Sequence, residues 1–128
     1  MSGQATLLLG KADIARTMAL SDYIDAVEQA FICLGAGQMA VPPVQHMPAP
    51  DGAFHVKSAG FLGDPYYVAV KVNGNFPDNL RKAGLPTIQG AIVLCDGRNG
   101  SLLAVIDSIE VTAMRTGAAT AVAAKYLA

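Results

Sequence analysis

Apolar and polar positions change rhythm several times along this chain. Thr6 and the leucines after it predict a short strand over 6–9, and 11–17 reads as one or two helical turns. Ile24, Val27, Phe31 and Leu34 then recur at helical spacing, which predicts a helix over 22–34. Ser21 is its expected N-cap, Asp22 and Asp25 lie in the electropositive first turn, and Gly35 and Gly37 are natural stops. The middle of the chain shifts to period two. Residues 54–58 alternate, and so do 66–73, where Tyr66, Val68, Val70 and Val72 share one face and Tyr67, Ala69, Lys71 and Asn73 the other. Two apolar strands, 87–95 and 101–106, are joined by Asp96-Gly97-Arg98-Asn99-Gly100, a connection of hairpin length. Both faces of 87–95 are mostly apolar, so cover is expected on both sides. A last helix over 109–128 follows Asp107 as N-cap, with Glu110 completing a capping box. Its alanines and Gly117 would let another backbone approach closely.

This succession is α+β: a mixed, largely antiparallel sheet with flanking helices, in a single domain over 1–128. Of the 128 residues, 52% are hydrophobic and 15% charged, against about 25% charged in an average soluble protein. A domain of this size buries only about two-thirds of its chain's surface, so apolar area is left over. That surplus predicts self-association or membership of something larger. Leu127-Ala128, with no capping glycine or tail, reads as a truncation point. The formal charge of −1 offers no attraction to nucleic acid or an anionic membrane. No apolar run reaches the roughly 18 residues of a membrane span, and the first nine residues lack the basic start and apolar core of a secretory signal. Cys33 and Cys95 form no CxxC and no metal-ligand spacing, so they read as thiols of a reducing cytoplasm, with no metal site expected.

Few residues carry candidate chemistry. Gly35-Ala36-Gly37-Gln38-Met39-Ala40 fits G-x-G-x-x-A, but a dinucleotide loop must leave a strand and open a helix. Here a helix precedes it and Val41-Pro42-Pro43 follows, so it reads as a helix stop. His46 and His55 have no Cys, Asp or Glu at activating or metal spacing, and His55 reads as an ordinary strand residue. Lys57 and Lys71 lie in strands among apolar neighbours, where an ammonium is costly unless it has a partner or a task as acid, base or anion clamp. Arg115 interrupts an uncharged helical stretch and suits a bidentate carboxylate contact. Two such cations on one pocket would suit a small anionic substrate.

The ordered succession Phe54-His55-Val56-Lys57, Val70-Lys71-Val72, Asn75-Phe76-Pro77, Gly84-Leu85-Pro86-Thr87-Ile88-Gln89-Gly90, Leu103-Ala104-Val105-Ile106-Asp107 and Thr112-Ala113-Met114-Arg115-Thr116 resembles the N-terminal half of the ornithine cyclodeaminase/mu-crystallin family. The resemblance covers essentially the whole chain. It implies the substrate-binding and dimerisation half of longer NAD(P)-dependent enzymes, whose members cyclise ornithine, oxidise alanine or reduce imines of amino acids. Two sheets, one per subunit, would close into a barrel-like dimer interface. The Rossmann domain would follow the last helix, so NAD or NADP belongs to a full-length parent and none is expected to bind this chain alone. By the same resemblance Lys71 touches the substrate near the reacting carbon, as the catalytic residue of this half. Arg115 binds the substrate carboxylate, and Thr116 approaches the nicotinamide. Val44-Gln45 stands where the family has a further carboxylate-gripping arginine, which weakens an ornithine assignment. Lys57, in place of the ornithine enzymes' methionine, would supply that charge. The competing reading is a free-standing, non-catalytic binding or oligomerisation module built on this half-fold.

Overall fold

The computed structural model describes residues 3–128. Seven strands form one sheet: β1 (Leu7–Leu9), β2 (Met39–Ala40), β3 (Gln45–Ala49), β4 (Gly52–Phe61), β5 (Tyr67–Asn75), β6 (Ile88–Asp96) and β7 (Leu102–Asp107). Their order is β1-β7-β6-β5-β4-β2, with β3 pairing β4 beside β2. Only β1 runs parallel to its neighbour, and every other pairing is antiparallel. Four helices accompany the sheet: α1 (Lys11–Thr17), α2 (Leu20–Gly35), α3 (Asn79–Ala83) and α4 (Ser108–Leu127). Among the described residues no helix is long and apolar enough to cross a membrane.

The expected elements are present with shifted ends, and the differences have physical causes. Ser21 is not the N-cap of α2. The helix starts at Leu20, and the Asp22 carboxylate reaches back to accept from the Ala19 N–H at 2.8 Å. Asp13 accepts in the same way from the Gly10 N–H at 2.9 Å, so both early helices are started by an aspartate in the first turn. The glycines after α2 do stop it: Gly37 takes φ +74, its N–H reaches Leu34 O, and the Gln38 N–H reaches Cys33 O. Those paired bonds satisfy the last carbonyls of the helix. At α4, Asp107 accepts from the Ile109 N–H at 2.8 Å, but the reciprocal Glu110 bond of a capping box is not made among the described residues. Three elements lay below the reach of periodicity: β2, β3 and α3 are two to five residues long.

Helices α1, α2 and α4 gather over the β1–β7–β6 side of the sheet, and the small residues of α4 let α2 lie close against it. The core sits in that layer: Ile14, Tyr23, Cys33, Ala104, Ala118 and Val122 are buried. At the far end the Lys125 ammonium lies 2.8 Å from Glu28 Oε1, and the Tyr126 hydroxyl donates to the same oxygen, tying α4 to α2. Both cysteines are free thiols, Cys33 buried and Cys95 half-buried.

The sheet has two unlike faces. Register places Lys57, Lys71 and Ile92 side by side across β4, β5 and β6, with His55, Asn73 and Gly90 as the next row. That face meets α4, whose buried Ser108 donates to Asn73 Oδ1 at 2.6 Å, while the Asn73 amide donates to Thr112 Oγ1 at 3.4 Å. The other face carries Val56, Val72 and Ala91, then Ser58, Val70 and Val93. The expectation that β6 is covered on both sides fails within this chain. Its residues on this second face stay half-buried, and Val72 beside them is 41% exposed.

Gly90 is what permits the Asn73 joint. A Cβ there would sit 1.9 Å from Val72 O and 2.6 Å from Asn73 Oδ1, so no larger residue fits without moving backbone. Gly90→Ala is expected to cost about 1–3 kcal/mol through overpacking, and Ser108→Ala a similar amount by leaving a buried amide oxygen without its donor. Urea unfolding checks both: the midpoint should fall at unchanged slope. A Gly90→Ala midpoint equal to the parent's would show that the strands can separate there freely.

Candidate functional site

Alternation along β5 sends Lys71, Asn73 and Asn75 to the face that α4 crosses, and the antiparallel register sets Lys57 of β4 directly opposite Lys71. Directly opposed residues have Cβ atoms about 4.5–5.5 Å apart, so the two amines share one patch of sheet. Helix α4 contributes the third cation. Thr112 meets Asn73, and Arg115, one turn further, lies on the same helical face and comes over the lysines.

These side chains line a cavity of about 260 Å³, together with His55, Asn73, Asn75, Ile88 and Thr112. A second cavity of about 290 Å³ adjoins it over Ser58, Ala59, Ala69 and Ile92, and Lys57, Lys71 and Arg115 border both. The result is a groove along the sheet, under α4, with three cations at its waist. None of the three forms an ion pair among the described residues, since every carboxylate engaged in one lies elsewhere. Lys57 and Arg115 are exposed, whereas Lys71 is half-buried on the sheet floor. Burial, with Arg115 and Lys57 as neighbouring like charges, holds the Lys71 ammonium below the usual lysine range. Such a groove favours a small anion carrying hydrogen-bond acceptors, for which Arg115 offers a planar fork and the lysines point charges.

The expected site residues do not all meet. Lys57, Lys71 and Arg115 converge. Thr116 borders neither cavity; it is exposed, and its hydroxyl donates back to Thr112 O at 2.6 Å. His55 is more than an ordinary strand residue, since it lines the first cavity and stacks on His46 of β3, with ring centroids 4.8 Å apart and planes inclined by 13°. Asn75, Ser108 and Thr112 were not singled out from sequence. Only the period-two spacing of Lys71, Asn73 and Asn75 pointed toward them, and no local pattern pairs Asn73 with a helix 35 residues later. The Gly35–Ala40 loop leaves α2 and enters β2, the reverse of a dinucleotide loop, so its residues do not fit a pyrophosphate.

A larger cavity of about 410 Å³ lies between α2 and α4, lined mainly by Phe31, Ile32, Val122, Tyr126 and Leu127. Its one carboxylate, Glu28, is already held by Lys125 and Tyr126, so it gathers no free chemistry.

Known proteins share this chain's sequence and fold. The model of the ornithine cyclodeaminase/mu-crystallin family matches residues 4–128. An alanine dehydrogenase of Archaeoglobus fulgidus is 33% identical over 123 residues, which cover 96% of this chain and 37% of that protein. An L-lysine cyclodeaminase of Streptomyces rapamycinicus is 33% identical over 121 residues, 90% of this chain and 34% of that protein. Among solved structures, the Thermococcus litoralis Δ1-pyrroline-2-carboxylate reductase in complex with NADH and L-proline superposes with a TM-score of 0.89 at 36% identity, covering 94% of this chain and 38% of that one. An archaeal alanine dehydrogenase dimer with bound NAD gives 0.89 at 32% identity, over 94% and 37% of the two chains. The chain thus spans little more than a third of the length of the relatives it matches. By sequence and by fold it belongs to the ornithine cyclodeaminase/mu-crystallin family, and corresponds to the N-terminal portion of the full-length members.

Proposed function

We propose that this chain is the substrate-binding and dimerisation portion of an NAD(P)-dependent enzyme acting on a small amino or imino acid, by imine reduction, oxidative deamination or cyclising deamination. The observation that carries the reading is the groove whose waist is formed by Lys57, Lys71 and Arg115, none of them in an ion pair among the described residues. Arg115 and Lys57 take the substrate carboxylate. Lys71, on the floor between them, stands at the reacting carbon and holds or releases a proton there. Asn73 and Thr112 orient Arg115 through the joint between β5 and α4. The redox chemistry is the cofactor's, held by the remainder of a full-length protein, and Thr116 is the residue of this chain assigned to that side. Relatives bound to NAD, or to NADH with L-proline, support the substrate and cofactor classes.

The apolar sheet face is the dimerisation surface in this reading. Val56, Val70, Val72 and Val93 form a patch with no cover of its own, and Phe54 and Met47 extend it, the last 64% exposed. A second copy placing its sheet against this one would remove that area from water.

Light scattering behind size exclusion at micromolar concentration should give a mass at least twice that of one chain, and Val72→Lys should shift it toward one chain. A strictly monomeric parent would remove the dimerisation surface. In an NMR titration L-proline or L-lactate should bind with millimolar affinity and shift amides around Lys71 and Thr112. Arg115→Ala should weaken this by roughly 10–100-fold, the equivalent of one charge-assisted hydrogen bond of about 1.5–3 kcal/mol. Unchanged affinity in that variant would move the carboxylate elsewhere.

The pH dependence has a definite sign. Lys71 is charged below its lowered pKa and neutral above it. Carboxylate affinity should therefore fall as pH rises through a window lying below the ordinary lysine value. In the same window the unfolded chain holds the Lys71 proton more tightly than the folded one, so stability should rise with pH there. Lys71→Met should flatten both trends.

A further inference from the structure

The three cations are not equivalent, and the difference bears on what Lys71 can do without any cofactor. An amine attacks a carbonyl only as the free base. Among the described residues no carboxylate pairs with Lys71 to hold its proton. Lys57 lies directly across the strand pair and Arg115 comes over it from α4, while the side chain itself is half-buried against the sheet. Each of these favours the uncharged amine. Lys57 is exposed and borders the same groove, within reach of an entering anion. One lysine is thus suited to gripping an anion and its neighbour to attacking what the anion carries.

We propose that Lys71 forms a covalent imine with small 2-oxo acids, held by their carboxylate at Arg115 and Lys57 in the groove between the sheet and α4. The proposal rests on the carboxylate-site reading above and adds to it an activity that needs no group outside this chain. In a 2-oxo acid the carbonyl carbon is bonded directly to the carboxylate. Anchoring that carboxylate at the groove's waist therefore brings the carbonyl to the adjacent amine on the floor. The Lys71 Nζ lone pair forms a C–N bond to C2 as the carbonyl π bond breaks, and a proton passes from nitrogen to oxygen to give a carbinolamine. Loss of that hydroxyl as water leaves the imine, so amine and ketone give imine and water with no change of oxidation state. Thr112 lines the same cavity and accepts from the Asn73 amide, which leaves its own proton to donate to the departing oxygen.

Trapping tests this in the chain as it stands. Incubation with pyruvate and sodium cyanoborohydride converts an imine to a stable secondary amine, read by intact mass and located by peptide mapping. The expected result is a single adduct on Lys71, formed at least about tenfold faster than any on exposed Lys11, Lys82 or Lys125, as activation by desolvation and a neighbouring cation requires. Lys71→Met should abolish it, Lys82→Met should leave it unchanged, and Lys57→Met should slow it by weakening both the grip and the activation. Circular dichroism of each variant shows that it folds, and the peptide map of the parent stands regardless. L-Lactate, which has the carboxylate but no carbonyl, should protect Lys71. Adducts spread evenly over the exposed lysines would overturn the proposal. So would an unmodified Lys71 in a chain that binds lactate, and that result would leave the carboxylate site standing. An adduct on Lys71 that lactate does not slow would overturn the carboxylate site itself, and with it the clamp invoked here.

Discussion

The site depends on one buried joint. Asn73 lies where β5 passes under the first turn of α4, and its amide oxygen accepts from the Ser108 hydroxyl while its amide nitrogen donates to Thr112. Ser108 has no solvent exposure and Asn73 very little, so a broken bond there exposes the cost of desolvating a polar group without a partner. The joint fixes the angle at which α4 leaves β7 and crosses the sheet. Arg115 lies one turn beyond Thr112 and inherits that placement. Gly90 completes the arrangement from the third strand, since the space a side chain would need is filled by Val72 O and the Asn73 side chain.

Around the joint the chain assembles positive charge that forms no ion pair among the described residues. Elsewhere most of its cations are paired on the surface: Arg16 with Asp13, Arg81 and Lys82 with Asp78, Arg98 with Asp64, Lys125 with Glu28. Exposed pairs of that kind contribute little to stability, typically under about 1 kcal/mol. The waist of the groove differs, because like charges converge there and one of them is partly desolvated. A fold tolerates such an arrangement at a cost, and perturbed groups of this kind concentrate where anions are bound or protons moved.

The two faces of the sheet divide the work of the fold. Toward α4 the strands carry the polar row of Lys57, Lys71 and Asn73, partly covered and open along the groove. Away from it they carry valines that no helix covers. The apolar surplus of the composition is therefore localised, chiefly on that sheet face and along the cavity between α2 and α4. Relatives that include this portion are almost three times longer, and one of them is a dimer.

How much of this was legible in the sequence varied with the range of the interaction involved. Local and periodic signals carried well. Period two along 66–73, helical spacing along 22–34, the Gly35–Gly37 stop and Asp107 at the head of α4 all report contacts made within a few residues, and the structure has each of them close to the expected place. The same alternation put Lys71 and Asn73 on one face, and the ordered motifs identified the family. At the first turn of α2 Ser21 and Asp22 can both serve a helix start, and only the bond from the Ala19 N–H to the Asp22 carboxylate decides between them. Beyond that range local pattern is silent. Register made Lys57 the neighbour of Lys71, the crossing of α4 brought Arg115 above them, and His55 joined their cavity through pairing with Asn73. The Asn73–Ser108 bond spans 35 residues and depends on α3, β6 and β7, which lie between them, being in place first. Residue types and faces were therefore determined by the sequence itself. Which charges share a groove was decided only by the tertiary structure, because electrostatic and hydrogen-bond partners are chosen by proximity in space.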